Sequence, residues 1–459
     1  MALEHERLSV REKVGYGIGD AAANFIFQTM IIFQLAFYTD TFGITAAAAG
    51  TLFLVVRVFD AAFDPLMGVV ADRTNTRWGK FRPWILWTAV PFGIMGFLAF
   101  TTPDLSPTGK LAYAYVTYIL LMMVYSANNL PYSALSGVMT GDVVQRTSLS
   151  SYRMVAAMAS QLVIQGLALP MVEHFGGGND ALGYKITMGI FSALAVVFFL
   201  ITFATTRERV LPDPSQKSSI RQDFADLLRN GPWKVMFALT IILFITLALR
   251  GGVMVYFFKY YVGREDAFSL FNVIGTGATI IGVLLSKSVA ERIGKRRLFI
   301  LGLIGTVIFT AAFILLPPGN LPLIITTEAL RQFAYGFTIP LLWAMMADVA
   351  DFSEWKNHRR ATAVVFSAII FGLKAGLGIG GAIGGYLLDA YGYVPNAVQS
   401  EHALLGIRLT ASIYPAIAFL LCAVCLSFYR IDKSTELEMS RDLTERRNAF
   451  LPTPLPSAP

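Results

Sequence analysis

The sequence has few of the residue types on which soluble enzymes depend. Of its 459 residues only 15% are charged, four are histidine and two are cysteine. The histidines show no zinc-ligand spacing, and neither a phosphate-binding loop nor a nucleophile elbow is present. Cys422 and Cys425 stand inside a hydrophobic segment, whereas a redox pair belongs at a helix start beside a strand, so we interpret them as apolar filler. The sequence therefore predicts neither an enzyme nor a resident cofactor.

In place of a polar surface the sequence has a long series of hydrophobic segments. Hydrophobic residues make up 55% of the chain and its mean hydropathy is +0.59, which is too apolar for an ordinary soluble protein. About twelve segments of roughly 20 apolar residues can be recognised. They lie at about 16–38, 45–70, 83–102, 111–138, 149–172, 184–205, 235–258, 266–289, 298–317, 322–347, 363–388 and 406–429. The sequence thus predicts an all-α membrane protein, embedded in the lipid bilayer over nearly its whole length.

Basic residues are divided unequally between the two sides of these segments. If the segments alternate in direction, most of the 37 lysines and arginines fall on the side of the two termini. The opposite side carries Lys110, Lys185, Lys259, Arg264 and Arg408. This asymmetry predicts a multi-pass protein of the bacterial inner membrane, the plasma membrane, with both termini in the cytoplasm. It also accounts for the net charge of +7 without a nucleic-acid partner.

The two halves of the sequence resemble each other. Residues 71–73 (Ala-Asp-Arg) follow the second hydrophobic segment, and residues 290–292 (Ala-Glu-Arg) follow the eighth. The sequence predicts 12 transmembrane helices in two pseudo-symmetric six-helix bundles, residues 1–205 and 234–429, with a cytoplasmic linker at 206–233 and a cytoplasmic tail at 430–459. This arrangement matches the major facilitator fold, in which the substrate is held between the halves near the middle of the membrane.

Three charged residues stand inside the second hydrophobic segment. Arg57, Asp60 and Asp64 are three and four residues apart, which places them on one face of a helix. Each ionisable group at this depth costs roughly 2.5–3.5 kcal/mol, so such groups pair, line a polar cavity or hold an ion. Two carboxylates beside one charge-balancing arginine leave one negative charge uncompensated, which suits the binding of a proton or a monovalent cation. If the ion is Na⁺, Asp60 and Asp64 are the predicted metal ligands. The alternative is an Arg–Asp pair that only holds helices together.

Other polar residues in the hydrophobic segments are candidates for binding a sugar. They are Asn24, Gln28, Asn128, Asn129, Tyr132, Arg153 and Arg250. Amides can hydrogen-bond sugar hydroxyls, and aromatic rings can stack on pyranose faces. The two arginines could also bind the carboxylate of a uronate.

Several of these polar residues have a structural alternative. Asn128 could satisfy carbonyl groups that Pro131 frees, and Arg250 could be the counter-ion of an acid on a neighbouring helix. Asp20, early in the first segment, could cap its helix or pair with a basic loop. Lys374 has no acid within one turn of its own helix, so its partner must come from another helix. The pair formed by Asp60 and Asp64 is the obvious candidate, and Lys374 is therefore included with them in the predicted cation site.

Four patches carry a family resemblance. They are residues 13–20 (Lys-Val-Gly-Tyr-Gly-Ile-Gly-Asp), 57–64 with 77–83 (Arg-Trp-Gly-Lys-Phe-Arg-Pro), 348–355 (Asp-Val-Ala-Asp-Phe-Ser-Glu-Trp), and 392–396 (Gly-Tyr-Val-Pro-Asn) with Gln399 and Ser400. The patches span nearly the full length of the chain, and the run at 77–83 is highly specific. On these residues the chain resembles the glycoside–pentoside–hexuronide:cation symporters.

The resemblance implies roles at the cation site. Asp60 and Asp64 fall on the cation ligands of the family, with Lys374 coupled to them. Ser126 falls where melibiose permease, a member of the family, has a threonine near the cation. Phe63 replaces an asparagine near the cation, and this departure leaves the use of sodium open.

The resemblance also implies roles at the sugar site. Arg153 falls on an arginine that lines this site in the family. Two aspartates that hold galactosides in melibiose permease correspond here to Asn24 and Asn129, and its stacking tryptophan corresponds to Ser133. The amides are closer to the glucuronide permease branch, so galactoside specificity is also left open.

Together these observations predict a monomeric symporter that couples H⁺ or Na⁺ to a sugar by alternating access. The sugar is expected to be a glycoside, a pentoside or a hexuronide. Two alternatives remain at this point. A lysolipid or other amphiphile carrier of the same fold would need a lateral apolar cleft. A sugar sensor that does not translocate would need a signalling domain.

Overall fold

The structure, a computed structural model, describes residues 8–140, 143–209, 230–357 and 362–449. The described residues are mostly helical and contain no β-sheet. We number the helices in chain order: α1 (Val10–Ala36), α2 (Ala46–Arg73), α3 (Arg82–Ala99), α4 (Pro107–Met139), α5 (Val143–Gly176), α6 (Asp180–Thr205), α7 (Gly231–Tyr256), α8 (Ala267–Ile293), α9 (Lys295–Ala312), α10 (Leu321–Gly336), α11 (Thr338–Asn357), α12 (Thr362–Ala390), α13 (Glu401–Ala411), α14 (Ile413–Ser427) and α15 (Lys433–Ala449).

The helices account for the predicted membrane segments. Within the described ranges, 11 helical segments are long and apolar enough to cross a membrane. Two of them are built from consecutive helices, α10 with α11 and α13 with α14. The 18-residue helix α3, between the second and third of these segments in sequence, completes the predicted set of 12. The prediction of an all-α membrane protein is confirmed.

Some helices extend beyond the hydrophobic segments because polar groups stabilise their ends. Helix α1 begins at Val10, whereas its hydrophobic segment was expected to begin near residue 16. The Ser9 side chain accepts a hydrogen bond from the Glu12 backbone N–H, and the Glu12 carboxylate accepts one from the Ser9 backbone N–H. This capping box satisfies backbone donors that would otherwise be unpaired at the helix start.

The two halves of the chain begin in the same way. Helix α1 continues into a π-helical turn, Phe37–Phe42, and α7 continues into another, Phe257–Val262. Each turn ends at a glycine in the left-handed region, Gly43 with φ 86° and Gly263 with φ 70°. Such π-helical turns are rare in proteins, and those that occur often lie at functional sites. Their matched positions are a structural counterpart of the predicted pseudo-symmetry.

The halves meet along helix pairs, of which α2 with α12 is the most extensive and α1 with α7 and α5 with α8 are smaller. At one crossing of α2 and α12, a Cβ atom on Gly385 would overlap the carbonyl oxygen of Ala46. Glycine therefore permits the two backbones to touch, as small residues do where membrane helices pack closely.

This close contact lies at the end of the bundle where α1 finishes. We call it the distal end, and we call the opposite end, where α1 begins and α14 finishes, the terminal end.

The predicted linker and tail are partly outside the described residues. Residues 210–229 of the linker are not among them, nor are residues 450–459 of the tail. The described part of the tail is helix α15, where Glu436 forms an ion pair with Lys295 of 2.7 Å and Lys433 donates to the carbonyl of Glu291 at 2.7 Å. The tail helix is thus attached to the terminal ends of α8 and α9.

Candidate functional site

The two acids of α2 meet Lys374 of α12 between the two halves. The Lys374 ammonium donates to Asp64 Oδ2 and lies 3.5 Å from Asp60 Oδ2. It also donates to Ser126 Oγ of α4 at 3.3 Å, and Ser126 Oγ donates to Asp60 Oδ1 at 2.8 Å. The contact expected between Lys374 and the two acids is therefore present. Ser126 lies against the same acids, and one ammonium joins three helices from both halves.

Arg57 completes the charge balance of this cluster. Its Nη1 donates to Asp60 Oδ2 at 3.3 Å, one turn along the same helix. The arginine side chain lies over Gly378 of α12, where a Cβ atom would overlap its methylene groups. Two acids and two bases thus neutralise each other at membrane depth, as the cost of an isolated charge there requires. The charge that Arg57 leaves uncompensated on its own helix is balanced from the other half of the molecule.

The acids differ in how open they are. The side chain of Asp60 is 1% exposed and has three charged or polar partners, Arg57, Ser126 and Lys374, while the side chain of Asp64 is 22% exposed. Asp64 Oδ1 has no hydrogen-bond partner among the described residues. Two carboxylates and a hydroxyl are hard oxygen donors of the kind that alkali and alkaline-earth ions prefer. In the described part of the chain, no group of three or more His, Cys, Asp and Glu side chains could hold a metal ion.

A second polar cluster lies on α1, α4 and α5 of the first half. Arg153 Nε donates to Asp20 Oδ1 at 3.0 Å, and its guanidinium lies 5.3 Å from the centre of the Tyr132 ring. Asn24 Nδ2 donates to the carbonyl of Asp20 at 2.8 Å. The Tyr132 ring stacks on Tyr16 with centroids 4.7 Å apart, and its hydroxyl donates to the Tyr16 carbonyl at 2.6 Å. Three of the predicted sugar-binding residues, Asn24, Tyr132 and Arg153, are thus brought together.

The remaining amides are placed differently from one another. Asn128 is 2% exposed, and its Nδ2 donates to Thr88 Oγ1 of α3 at 2.8 Å. This contact lies inside the first half, and its acceptor is a side-chain hydroxyl and not a carbonyl freed by Pro131. Gln28 and Asn129 are half-buried. Asn129 follows Ser126 by three residues on α4, so a predicted sugar-binding residue lies on the same helix face as a predicted cation-binding residue.

Arg250 lies in a charged cluster inside the second half. Its guanidinium makes two hydrogen bonds to Glu328, at 3.3 and 2.8 Å, and Nε donates to the carbonyl of Ala411 at 3.2 Å. Arg331 makes two further hydrogen bonds to Glu328, at 2.9 and 2.6 Å. All three charged side chains are at most 7% exposed. Of the two roles considered for Arg250, the geometry matches the counter-ion of an acid on a neighbouring helix.

The distal end is closed by a network that we call the distal seal, formed by Asp40, Lys259, Tyr260, Tyr393 and Asn396. Lys259 Nζ and Tyr260 OH each approach Asp40 Oδ2 to 2.6 Å, and Tyr393 OH donates to the other carboxylate oxygen. Lys259 Nζ also donates to Asn396 Oδ1 at 2.9 Å. The seal joins the two π-helical turns, since Asp40 lies in the first and Lys259 and Tyr260 in the second.

The distal seal was missed from the sequence because its charged members lie just beyond the ends of the hydrophobic segments. Lys259 directly follows the segment that ends near 258, and Asp40 follows the segment that ends near 38. A comparison of the two halves would have found them, since residues 37–40 (Phe-Tyr-Thr-Asp) and 257–260 (Phe-Phe-Lys-Tyr) occupy matched positions.

The described contacts between the halves are concentrated toward the distal end. Between described residues, the hydrogen bonds and ion pairs that cross from one half to the other lie at the cluster of Lys374 or on its distal side. On the distal side they include Thr39 with Tyr256 at 2.7 Å and Thr51 with Tyr386 at 2.9 Å. The acids of α2 therefore lie at the inner boundary of the closed region.

Two cavities border these clusters. A small one of about 40 Å³ lies between the halves beside Arg57, lined on the other side by Leu249 and Gly381. A larger recess of about 540 Å³ lies at the distal end and is lined by carboxylates that include Glu265. Burial and the nearby carboxylates of Asp180 and Asp40 raise the pKa of Glu265 above its ordinary value. This acidic recess favours cations at the distal surface of the protein.

Known proteins are similar to this sequence over nearly its whole length. The family described as MFS/sugar transport protein matches residues 15–433. The inner membrane symporter YicJ of Escherichia coli strain K12 is 38% identical over 93% of this chain and 93% of its own length. The isoprimeverose transporter of Lactiplantibacillus pentosus is 38% identical over 95% of this chain and 91% of its own. The glucuronide carrier protein homolog of Escherichia coli strain K12 is 31% identical over 96% of this chain and 97% of its own.

Solved structures agree with the fold. A bacterial homolog of the human lysosomal transporter Spinster superposes with a TM-score of 0.67 at 14% identity, covering 97% of this chain and 99% of the other. The family match and the relatives make this chain a multi-pass membrane transporter and not an enzyme. The chain therefore belongs to the MFS/sugar transport family, and within it to the glycoside–pentoside–hexuronide:cation symporters of the major facilitator superfamily.

Proposed function

We propose that this chain uses a monovalent cation, H⁺ or Na⁺, to drive the uptake of a glycoside by alternating access. It works as a monomer in the bacterial inner membrane, with the terminal end in the cytoplasm, where the basic residues place it. The observation that carries the proposal is the position of Lys374, whose ammonium holds Asp60 and Asp64 from the opposite half. An ion that binds these acids must act on the contact between the two halves.

In the proposed cycle the ion and Lys374 compete for the same oxygens. The Lys374 ammonium occupies the place of a cation between Asp60, Asp64 and Ser126. When Na⁺ or a proton neutralises Asp64, the attraction that holds α12 to α2 weakens. Cation binding thus changes the relative free energies of the two orientations of the halves, and a ligand can shift an equilibrium only through such a difference.

The sugar binds beside this ion site, between the halves. Asn24, Gln28, Asn129 and Arg153 supply hydrogen-bond donors and acceptors for its hydroxyls. The Tyr132 ring is fully buried against Tyr16, so it supports the Arg153 guanidinium and does not stack on the sugar. Asn128 and Arg250 contribute to the framework instead, since both are buried, the Asn128 Nδ2 donates to Thr88 and the Arg250 guanidinium faces Glu328. Because Asn129 and Ser126 share a helix face, a sugar that moves α4 also moves a donor of the ion site.

The energy available is sufficient for concentrative uptake. Moving one positive charge down a membrane potential of roughly 100 mV releases about 2.3 kcal/mol. This free energy corresponds to roughly 50-fold accumulation of a neutral solute. The distal seal must open to admit the sugar and close again before it is released at the terminal end.

Uptake by proteoliposomes tests the proposal. Reconstituted protein is given isoprimeverose, nitrophenyl xyloside or nitrophenyl glucuronide, with an imposed sodium gradient, a pH gradient or neither. We expect at least one glycoside to accumulate against its gradient with one of the two ions and to equilibrate without it. Empty liposomes serve as the control. Uptake that never exceeds equilibrium under either gradient would contradict cation coupling.

A further inference from the structure

Asp20 is an acid of the sugar site to which neither the sequence patterns nor the family comparison gave a role in binding. We propose that Asp20 makes this site selective for neutral glycosides over uronates, because it occupies the guanidinium that a uronate carboxylate would need. The inference rests on the proposed function, and it names the class of sugar. It is carried by the geometry of one ion pair and by the charges that surround it.

The ion pair uses the inner edge of Arg153. Asp20 Oδ1 accepts from Arg153 Nε at 3.0 Å, and the aspartate side chain is 13% exposed while that of arginine is 34% exposed. The Asn24 amide lies within 3.5 Å of the second oxygen, Oδ2. Asp20 is therefore held between α1 and α5 by two side chains that are themselves candidates for binding the sugar. The guanidinium remains partly exposed, but its charge is already matched.

A uronate would find no uncommitted cation at membrane depth among the described residues of the site. Arg57 and Lys374 face the two acids of α2. Arg250 is 6% exposed and faces Glu328 in the interior of the second half. A uronate at Arg153 would either share the guanidinium with Asp20 or displace it, and displacement would leave a buried carboxylate without its cation. Two carboxylates beside one guanidinium also repel each other.

A neutral sugar meets no such conflict. Each sugar hydroxyl can donate one hydrogen bond and accept another, so one hydroxyl can donate to Asp20 while its neighbour accepts from Arg153. The ion pair then remains intact, and both of its members contribute to recognition. A charged pair with net charge zero thus selects for hydroxyls and against a carboxylate. Asp20 acts on specificity in two ways, directly as an acceptor and through the charge of Arg153.

The test uses three nitrophenyl glycosides that differ only at carbon 5 of the pyranose. The xyloside carries hydrogen there, the glucoside a hydroxymethyl group and the glucuronide a carboxylate. Their dissociation constants are measured on purified protein at saturating sodium and at two pH values. Three proteins are compared: the wild type, the variant Asp20→Asn, which removes the charge, and the variant Asp20→Glu, which keeps it. Thermal unfolding of each variant in detergent is measured in parallel.

We expect the wild type and Asp20→Glu to bind a neutral probe at least about tenfold more tightly than the glucuronide. In Asp20→Asn the ratio of glucuronide affinity to neutral-probe affinity should rise by about tenfold or more, because Arg153 is released. A purely structural role would weaken all three probes together and leave this ratio unchanged. If Asp20→Asn unfolds, the wild-type and Asp20→Glu preferences still decide the inference.

Two results would overturn it. Equal binding of neutral and anionic probes by the wild type, or an unchanged ratio in a folded Asp20→Asn protein, would contradict the selectivity while leaving sugar transport intact. Failure of the wild type to bind or transport any of the three probes, or isoprimeverose, would overturn the proposed function and this inference with it.

Discussion

Two of the charged clusters at membrane depth differ in what they connect. The cluster of Glu328 with Arg250 and Arg331 lies within the second half, and its side chains are at most 7% exposed. The cluster of Asp60, Asp64 and Lys374 crosses from one half to the other, and Asp64 is 22% exposed with one oxygen unpartnered among the described residues.

The difference distinguishes a charge that stabilises the fold from a charge that can be coupled to transport. The Glu328 carboxylate is enclosed by two guanidinium groups that move with it, so its interactions need not change as the halves move. In the proposed cycle, the acids of α2 are neutralised from a half that moves relative to them. An ion pair that spans a moving boundary is remade in each cycle, and the ion that replaces it can be coupled to that movement.

The largest effect is expected from the enclosed cluster. Glu328→Gln leaves two buried guanidinium groups facing each other without an anion, and removing one partner of a buried ion pair costs roughly 3–5 kcal/mol. We expect a large loss of thermal stability in detergent, with poor recovery of folded protein. Asp64→Asn is the matched control, because it makes the same acid-to-amide change at membrane depth and should unfold close to the wild type. Equal stability of Glu328→Gln and wild type would remove the contrast between the clusters.

The second-largest effect is expected for Asp64→Asn, which should lose the coupling of the ion to the sugar while the protein stays folded. Asp64→Asn removes the open carboxylate of the ion site, so about 2.3 kcal/mol per 100 mV can no longer be transferred to the sugar. Uphill uptake in vesicles should fall from roughly 50-fold to equilibrium, while exchange of labelled for unlabelled sugar continues. Full accumulation by this variant would refute the role of Asp64.

A smaller effect should follow when Lys374 is removed. In Lys374→Met the two acids keep only Arg57 as a cationic partner, so a bound ion should stabilise the folded variant more than it stabilises the wild type. The melting temperature is measured across sodium concentrations at two pH values, and Arg331→Met serves as the control from the enclosed cluster. A variant that responds to neither ion would argue against exchange between Lys374 and a cation.

The smallest effect is expected at the cysteines. Cys422 is buried and Cys425 is half-buried, and both side chains face α7. Their replacement by alanine should leave glycoside uptake unchanged and alter stability by less than about 1 kcal/mol. Loss of transport in either variant would contradict their interpretation as apolar filler and would show that uncharged core positions also control coupling.

The sequence predicted the fold because membrane segments are defined by length and hydrophobicity, which are local properties. It also predicted the contact of Lys374 with the acids of α2, because a lone charge at membrane depth must have a partner. It did not predict whether Arg250 faces the sugar or Glu328, since both arrangements satisfy that requirement. Asp20 and Arg153 lie far apart in sequence, and only the packing of α1 against α5 shows that they neutralise each other.

The central claim is that ion occupancy of Asp60 and Asp64 controls sugar binding. Its most direct test is the affinity of purified wild-type protein for nitrophenyl xyloside, or for whichever glycoside is transported, with and without sodium at two pH values. Linkage requires that the coupling ion raise the sugar affinity by the same factor by which the sugar raises the affinity for the ion. We predict such a reciprocal factor for either sodium or protons, and its disappearance in Asp64→Asn. A sugar affinity that depends on neither ion, in a protein that still accumulates the sugar, would contradict the account.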